Sequence, residues 1–248
     1  MRFYPPAKVL VTGRNGRMGR LVIQAVNEAS NLILGATSDQ GDNLLALPSD
    51  LHVAIDFTSP DALFPLTSFC VDRKLALVTG TTGLEENHHR LLRDAATKIP
   101  VLWASNMSIG VNLMVDLVQR SVSALGTNAD VEVVELHHRH KADAPSGTAL
   151  TLLQTIANAR HTSAANIGKF TRHGRIGPRA ASEVGVQTLR GGDVVGEHTV
   201  YLLLNGERIE ITHRATDRSI FASGAIRAAE WLIGKEPGLY SITDVLQS

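Results

Sequence analysis

The residues best equipped to move protons lie between positions 135 and 148, in ELHHRHKADAPSGT. His137, His138, His140 and Lys141 fall within five positions, and Pro145-Ser146-Gly147-Thr148 opens a predicted helix. Imidazole, with an ordinary pKa of about 6.5, trades protons near neutrality. Lys141 offers a charge or a proton, and N–H groups at a helix start, here those of Gly147 and Thr148, attract a substrate carboxylate. Along the strand expected at 131–137, Val131, Val133, Glu135 and His137 share one face, and Glu132, Val134, Leu136 and His138 the other. His137 and His138 therefore enter one cleft only where the chain turns. Pro145 restricts Ala144 to extended backbone before the helix. Two other readings stand beside the acid–base one. His138 and His140 are candidate metal ligands, although no carboxylate partner has diagnostic spacing. A solvated basic loop is the plain alternative.

A second constellation opens the chain. Gly13, Gly16 and Gly19 form VTGRNGRMG between a predicted strand and helix. Glycine serves there for a tight turn, close approach to a pyrophosphate and close helix–strand packing, with phosphate at the helix N-terminus. The spacing is GxxGxxG, a variant of the dinucleotide motif, and a bare strand–turn–helix is its bland reading. Asp39 stands 39 − 19 = 20 residues beyond the last glycine, where an acid accepts hydrogen bonds from the adenosine ribose. Its bland reading is a turn aspartate beside Gly41. A carboxylate there repels a 2′-phosphate, whereas Arg14 and Arg17 in the glycine loop would attract one, and the balance favours NADH over NADPH. Gly80-Thr81-Thr82-Gly83 and Ala104-Ser105-Asn106-Met107 each follow a predicted strand, where loops line a dinucleotide crevice.

The elements that must position these groups follow from hydrophobic periodicity. Strands are expected at 8–12, 32–37, 53–58, 75–79 and 101–104, with helices at 60–74 and 85–98. Met18, Leu21, Val22, Ala25, Val26 and Ala29 mark one helix face before the second strand. This alternation implies a Rossmann-like parallel sheet covered on both faces. After residue 108 the pattern changes to a helix at 110–125, a strand at 131–137, a helix at 148–159, a polar stretch at 161–182, and strands at 183–189, 198–204 and 208–213. Successive strands without helices imply a mixed or antiparallel sheet in a second α+β domain. We therefore expect a dinucleotide-binding domain at 1–108 and a substrate-binding and oligomerisation domain at 109–217. A C-terminal helix at 219–233, within a tail at 218–248, is expected to return to the first domain.

Composition sets the outer bounds. Hydrophobic residues make up 44% and charged residues 19%, an ordinary globular balance. With 24 basic and 24 acidic residues, there is no global electrostatic ground for nucleic acid or a membrane surface as partner. One cysteine, Cys70, excludes an internal disulfide and a thiolate zinc cage, and it is expected as a buried thiol in a reducing cytoplasm. The N-terminal ten residues carry no apolar run fit for a leader, and no run long enough to span a membrane follows.

Together, VTGRNGRMG, SDQG, DFTSPDA, GTTG, ASNMSIGVN, ELHHRHKADAPSGTA, RGGDVVGEHTV and ERIEITHRATDRSIFASGAIRAA resemble the 4-hydroxy-tetrahydrodipicolinate reductase (dihydrodipicolinate reductase) family, in order and over nearly the whole chain. The resemblance implies NADH- or NADPH-dependent reduction of a cyclic dicarboxylate in diaminopimelate and lysine biosynthesis, with loss of water. It implies His137 as general acid/base, Lys141 as proton donor, and His138 with Gly147 and Thr148 as the substrate-carboxylate site. Gly13, Arg14, Asn15, Gly16, Arg17 and Met18, with Asp39, Gly80, Thr81, Thr82, Ala104, Ser105, Asn106 and Met107, would hold the dinucleotide. A homotetramer joined through the sheets of the second domain, with a mobile arm at 161–182, is implied as well. The family often has Ala-Pro-Asn-Phe at 104–107 and a basic residue where Gln40 stands. Another two-domain dehydrogenase of an amino or keto acid, and a dinucleotide-binding regulator without catalysis, are the alternative functions. The first would oxidise NADH with its own keto acid, and the second would bind nucleotide without turnover.

Overall fold

The computed structural model describes residues 6–247; residues 1–5, part of the stretch read for a leader, and residue 248 lie outside the described residues. The chain divides into two units, Met1–Ile109 with Arg218–Ser248, and Gly110–Asp217.

In the first unit, β1 (Ala7–Thr12), β2 (Leu32–Ser38), β3 (Val53–Asp56), β4 (Ala76–Thr79) and β5 (Pro100–Trp103) lie in the order β5-β4-β3-β1-β2, all parallel. Their alternation supplies two cores. Val9, Val11, Val53, Ile55, Ala76 and Val78 pack on the side of α1 (Arg17–Glu28), while Leu10, Ala54, Leu77 and Val101 face α2 (Pro60–Arg73) and α3 (Glu86–Ala96). Burial on both faces explains why these strands read as continuous apolar runs. Cys70 sits fully buried in the second of these cores, and burial pushes its thiol pKa up.

After α4 (Ile109–Leu125), the second unit contains β6 (Asp130–His137), α5 (Gly147–Ala159), α6 (Ala164–Ile167), β7 (Gly168–Lys169), β8 (Val184–Arg190), β9 (Gly196–Leu204) and β10 (Glu207–Ala215). The sheet order is β10-β9-β6-β8-β7, with β6, β7 and β8 parallel and β9 antiparallel to both its neighbours. Val131, Val133, Val184, Val186, Val200 and Leu202 form the core face against α4 and α5. On the opposite face, Val134, Leu136 and Tyr201 are half-buried, and Leu189 and Leu203 are exposed. The polar stretch ends in a loop clamped on β6. The Arg172 guanidinium donates to both Glu132 oxygens (2.7 and 2.8 Å) and to Glu183 (2.7 Å), and Arg179 donates to Asp130 (2.6 Å) and Glu132 (3.0 Å).

The chain then returns to the first unit through α7 (Ser219–Leu232), β11 (Gly238–Tyr240) and α8 (Ile242–Leu246). α7 buries Ala222, Ala225, Ala228 and Ala229 beside α1, and β11 adds a sixth parallel strand next to β5. The expected helix is present, but β11 and α8 were not foreseen. Three residues are too few for a periodic signal, and what makes β11 a strand is the open edge of β5. Among the described residues, no helix is long and apolar enough to cross a membrane.

Candidate active site

The first unit builds a glycine-edged cleft at the carboxyl ends of its strands. Gly13 adopts φ +71°, and its N–H donates to the Ser38 carbonyl (2.9 Å), tying the glycine loop to the end of β2. A Cβ on Gly19 would fall 2.0 Å from the Gly13 carbonyl oxygen, so only glycine lets α1 approach the loop this closely. Arg17 and Met18 occupy the first turn of α1, whose N-terminus favours an anion. Gly13, Gly16, Asp39 and Gln40 line one cleft of about 870 Å³. Its size is that of a small-molecule pocket, with glycines at one end and Phe57 and Phe69 among the rest of its lining.

Asp39 lies just beyond β2, and its carboxylate accepts N–H bonds from Asn15 (2.9 Å) and Gln40 (2.8 Å). These backbone donors, with Arg14 nearby, hold its pKa below the usual carboxylate range. Arg14 itself is paired with Asp42, which also accepts the Asp39 N–H at 3.0 Å.

The expected loops at 80–82 and 104–107 follow β4 and β5 but do not line that cleft. Thr81 is buried and Thr82 exposed, while Gly80 has no room for a Cβ, which would fall 2.2 Å from the Phe57 ring. Ala104 N–H donates to the Thr79 carbonyl (3.2 Å), and Ser105 is exposed. The Met107 side chain is core, at 1% exposure, with α7 packed so closely that a Cβ on Gly224 would lie 1.8 Å from the Met107 carbonyl oxygen. Met107 is thus packed into the core of the first unit, side chain and carbonyl alike, and is not open to a ligand.

Asp56 is a fully buried carboxylate that the sequence reading left out of the site. It accepts hydroxyl bonds from Thr12 (2.7 Å), Thr58 (2.6 Å), Thr79 (2.8 Å) and Thr81 (2.7 Å). One acceptor thus gathers the ends of β1, β3 and β4, from which these loops spring. VTGRNGRMG, DFTSPDA and GTTG hold Thr12, Thr58 and Thr81, and Thr79 directly precedes GTTG, but only parallel pairing brings the four together.

The second unit holds the histidine–lysine cluster. The inner face of β6 begins as core with Val131 and Val133 and then, at the same two-residue period, presents Glu135 and His137. Glu135 is fully buried and His137 is 8% exposed. The carboxylate meets His137 Nδ1 at 2.5 Å, and it accepts from the Ser146 N–H (3.0 Å), the Thr188 hydroxyl (3.1 Å) and the Arg190 guanidinium (2.8 and 3.0 Å). Burial alone would raise the Glu135 pKa. The donors, led by Arg190 and His137, overcome it and hold the group at about 2. For His137 burial prevails over the pull of Glu135 and lowers the pKa, favouring neutral imidazole.

Directly across from Glu135 in the sheet register stands His198. Its ring meets His137 edge to face at 5.1 Å, and Nε2 lies 3.0 Å from the Ser146 hydroxyl. Burial lowers its pKa to about 4. Ser146 also caps α5, its Oγ accepting from the Ala149 N–H at 3.2 Å. The first-turn N–H groups of Gly147 and Thr148 thus begin a 13-residue helix right beside this network. No atom lies within 4 Å of the place a Gly147 side chain would occupy, so a ligand can approach the backbone there.

The strand ends at His137, and the chain turns, with Lys141 N–H bonded to the His138 carbonyl (3.1 Å). The His138 ring lies near that of exposed His140, at 6.3 Å. Lys141 Nζ pairs with Asp143 at 2.8 Å, and Arg190 ties the Asp143 carbonyl (2.6 Å) to the Glu135 network. The Ala144–Pro145 bond is cis. Among the described residues, no group of three His, Cys, Asp or Glu side chains is placed to hold a metal ion. Glu135 was assigned only to the face of His137. Its partners Ser146, Thr188 and Arg190, and His198 opposite it, come from the start of α5, β8 and β9, and only the folded sheet gathers them.

Residues 7–107 match the family described as "Dihydrodipicolinate reductase, N-terminus", and residues 110–246 match "Dihydrodipicolinate reductase, C-terminus". The 4-hydroxy-tetrahydrodipicolinate reductase of Akkermansia muciniphila is 47% identical over 238 residues, covering 96% of this chain and 97% of the relative. That of Acinetobacter baylyi is 41% identical over 261 residues, covering 96% of each chain. Among solved structures, a dipicolinate-bound dihydrodipicolinate reductase from Paenisporosarcina sp. TG-14 shares the fold. Its TM-score is 0.79 at 23% identity, with 95% of this chain and 97% of that chain covered.

Proposed function

The chain belongs to the dihydrodipicolinate reductase family, and from that premise we propose that His137 and Lys141 handle the protons of its reaction. The enzyme catalyses the NAD(P)H-dependent reduction of 4-hydroxy-tetrahydrodipicolinate, a step of lysine and diaminopimelate biosynthesis. Replacing the substrate's hydroxyl by hydrogen consumes a hydride and a proton, because the hydroxyl must leave as water. The glycine loop and Asp39 of the first unit would hold a reduced nicotinamide dinucleotide, which would supply the hydride. The proton falls to the second unit. His137 serves as general acid/base, and Lys141, oriented by Asp143, as the proton donor. His138 and the Gly147 and Thr148 N–H groups bind the substrate carboxylates, since the start of α5 combines open space with the positive end of a helix. The observation that carries this reading is the buried Glu135–His137 pair beside that helix start.

For the cofactor we favour NADH. Asp39 is ionised, Gln40 is neutral, and Arg14 is engaged by Asp42, so a 2′-phosphate would meet two carboxylates and an arginine already paired. Parallel assays with freshly generated substrate test both activity and preference. kcat/KM with NADH should equal or exceed that with NADPH. A preference for NADPH of about tenfold, or ~1.4 kcal/mol, would show that Arg14 or Arg17 outweighs the acids. No turnover with either nucleotide would refute the activity itself.

We further propose a cytoplasmic homotetramer. The sheet face carrying Val134, Leu136, Leu189, Tyr201 and Leu203 has the apolar character of a surface that pairs with a second copy. Sedimentation equilibrium should give four chains, and a monomer at micromolar concentration contradicts the proposal. The lone thiol, buried at Cys70, suits a reducing compartment. Recovery of the protein from the membrane fraction would oppose that placement.

A further inference from the structure

Glu135 receives more donors than holding one strand to its neighbours requires. Its two oxygens face five N–H or O–H groups, from His137, Ser146, Thr188 and the two Arg190 nitrogens. A buried carboxylate persists as an anion only when it is so saturated and has a cation beside it. An ionised carboxylate has no proton to give. The His137 Nδ1 facing it at 2.5 Å must therefore carry the ring proton, and Nε2 keeps the lone pair.

Nε2 has its own structural provision. A Cβ on Gly196 would lie 2.9 Å from Nε2 and 3.2 Å from Cδ2 of the ring, inside normal contact. Gly196 lies in β9, two residues before His198, so it shares that residue's side of the sheet. Any side chain there would press on the one ring edge that Glu135 leaves available.

We propose that Glu135 is the positioning residue of His137, fixing its proton on Nδ1 and presenting Nε2 for proton transfer, with Gly196 keeping that nitrogen unobstructed. This rests on His137 being the acid/base. Arg190 extends the arrangement, because the guanidinium that grips Glu135 also holds the Asp143 carbonyl in the loop that carries Lys141. Glutamine at 135 keeps a carbonyl that can accept from Arg190, so this tie to the Lys141 loop survives the loss of the charge, and Glu135 acts through the imidazole. The charged and titratable groups facing the imidazole are Glu135 from its own strand, Arg190 from β8, Lys141 from the loop and His198 from β9. Of these Glu135 alone is an anion, so removing its charge favours neutral imidazole.

The test uses the full chain with Glu135→Gln, His137→Gln and the double variant. Glu135→Gln should lower kcat by about tenfold to a hundredfold with substrate KM within about twofold, and move the His137 limb of the kcat–pH profile to lower pH. In the His137→Gln background, the same substitution should change kcat by less than about twofold, since a residue acting through the imidazole has nothing left to act on. Independent, multiplying losses, or an unmoved pH limb, would overturn the proposal. If His137→Gln alone retains normal turnover, the acid/base assignment fails, and it fails separately from the role of Glu135. Nitrogen-15 shifts of His137 in the unmutated protein supply a readout that does not depend on any variant folding. The Nδ1–H tautomer is expected, and the Nε2–H tautomer refutes the proposal.

Discussion

Replacing His137 with glutamine lowers kcat by about 10²–10⁴-fold, the usual contribution of a positioned acid/base. Glutamine is close to histidine in size and can still bond to Glu135, but it cannot gain or release a proton near neutrality. The backbone at the start of α5, proposed to hold the substrate carboxylates, is untouched, so KM for the substrate should stay within about threefold. A loss of this size amounts to roughly 3–5 kcal/mol of transition-state stabilisation. Lys141→Ala should cause a separate fall in kcat, because Asp143 then orients no ammonium. Steady-state assays on both variants, with circular dichroism to check the fold, give the answer. Near-normal rates in both would remove this pair from the mechanism.

Gly19→Ala should weaken binding of both nucleotides by about tenfold or more and lower stability by about 1–3 kcal/mol, the range for overpacking. The added Cβ would lie 2.0 Å from the Gly13 carbonyl oxygen, 2.7 Å from its carbon and 3.1 Å from Arg14 Cα. All three are backbone atoms, so no side chain can swing aside. The loop cannot retreat easily either, because the Gly13 N–H is bonded to Ser38 and the Gly13 carbonyl accepts the Gly16 N–H, each at 2.9 Å. The helix must lift instead, carrying away the N–H groups that meet a pyrophosphate. Titration calorimetry with each nucleotide and urea unfolding measure the two effects. An unchanged Kd for both would mean that the glycine loop is not where the dinucleotide binds.

How much was legible beforehand depended on how local each feature is. Val9, Leu10 and Val11 announce a strand covered on both sides, since consecutive residues are apolar, and the parallel sheet follows from repeating that signal between helices. The spacing from Gly19 to Asp39 is likewise visible in one dimension, and the structure brings Gly13, Gly16 and Asp39 to one cleft. Glu135 was only half legible. Two-residue alternation places it on the face of His137, but Thr188 and Arg190 lie 53 and 55 residues further on, and only the pairing of β6 with β8 brings them to it. Asp56 shows the same limit, because its four hydroxyl partners come from β1, β3, β4 and the residues that follow them. The short β11 had no signal of its own, for it owes its conformation to the strand it joins.

The return of α7, β11 and α8 to the first sheet sets a schedule for biosynthesis. Every residue of the second unit's core lies between Met114 and Leu202. One face of the first sheet, by contrast, takes Ala222, Ala225, Ala229, Leu232, Ile242 and Val245 from the end of the chain. A ribosome synthesising from the N-terminus therefore delivers the whole second unit while the first still lacks its last helices and edge strand. The part that begins first is the part completed last, and until then the apolar side of its sheet next to α1 stays partly uncovered.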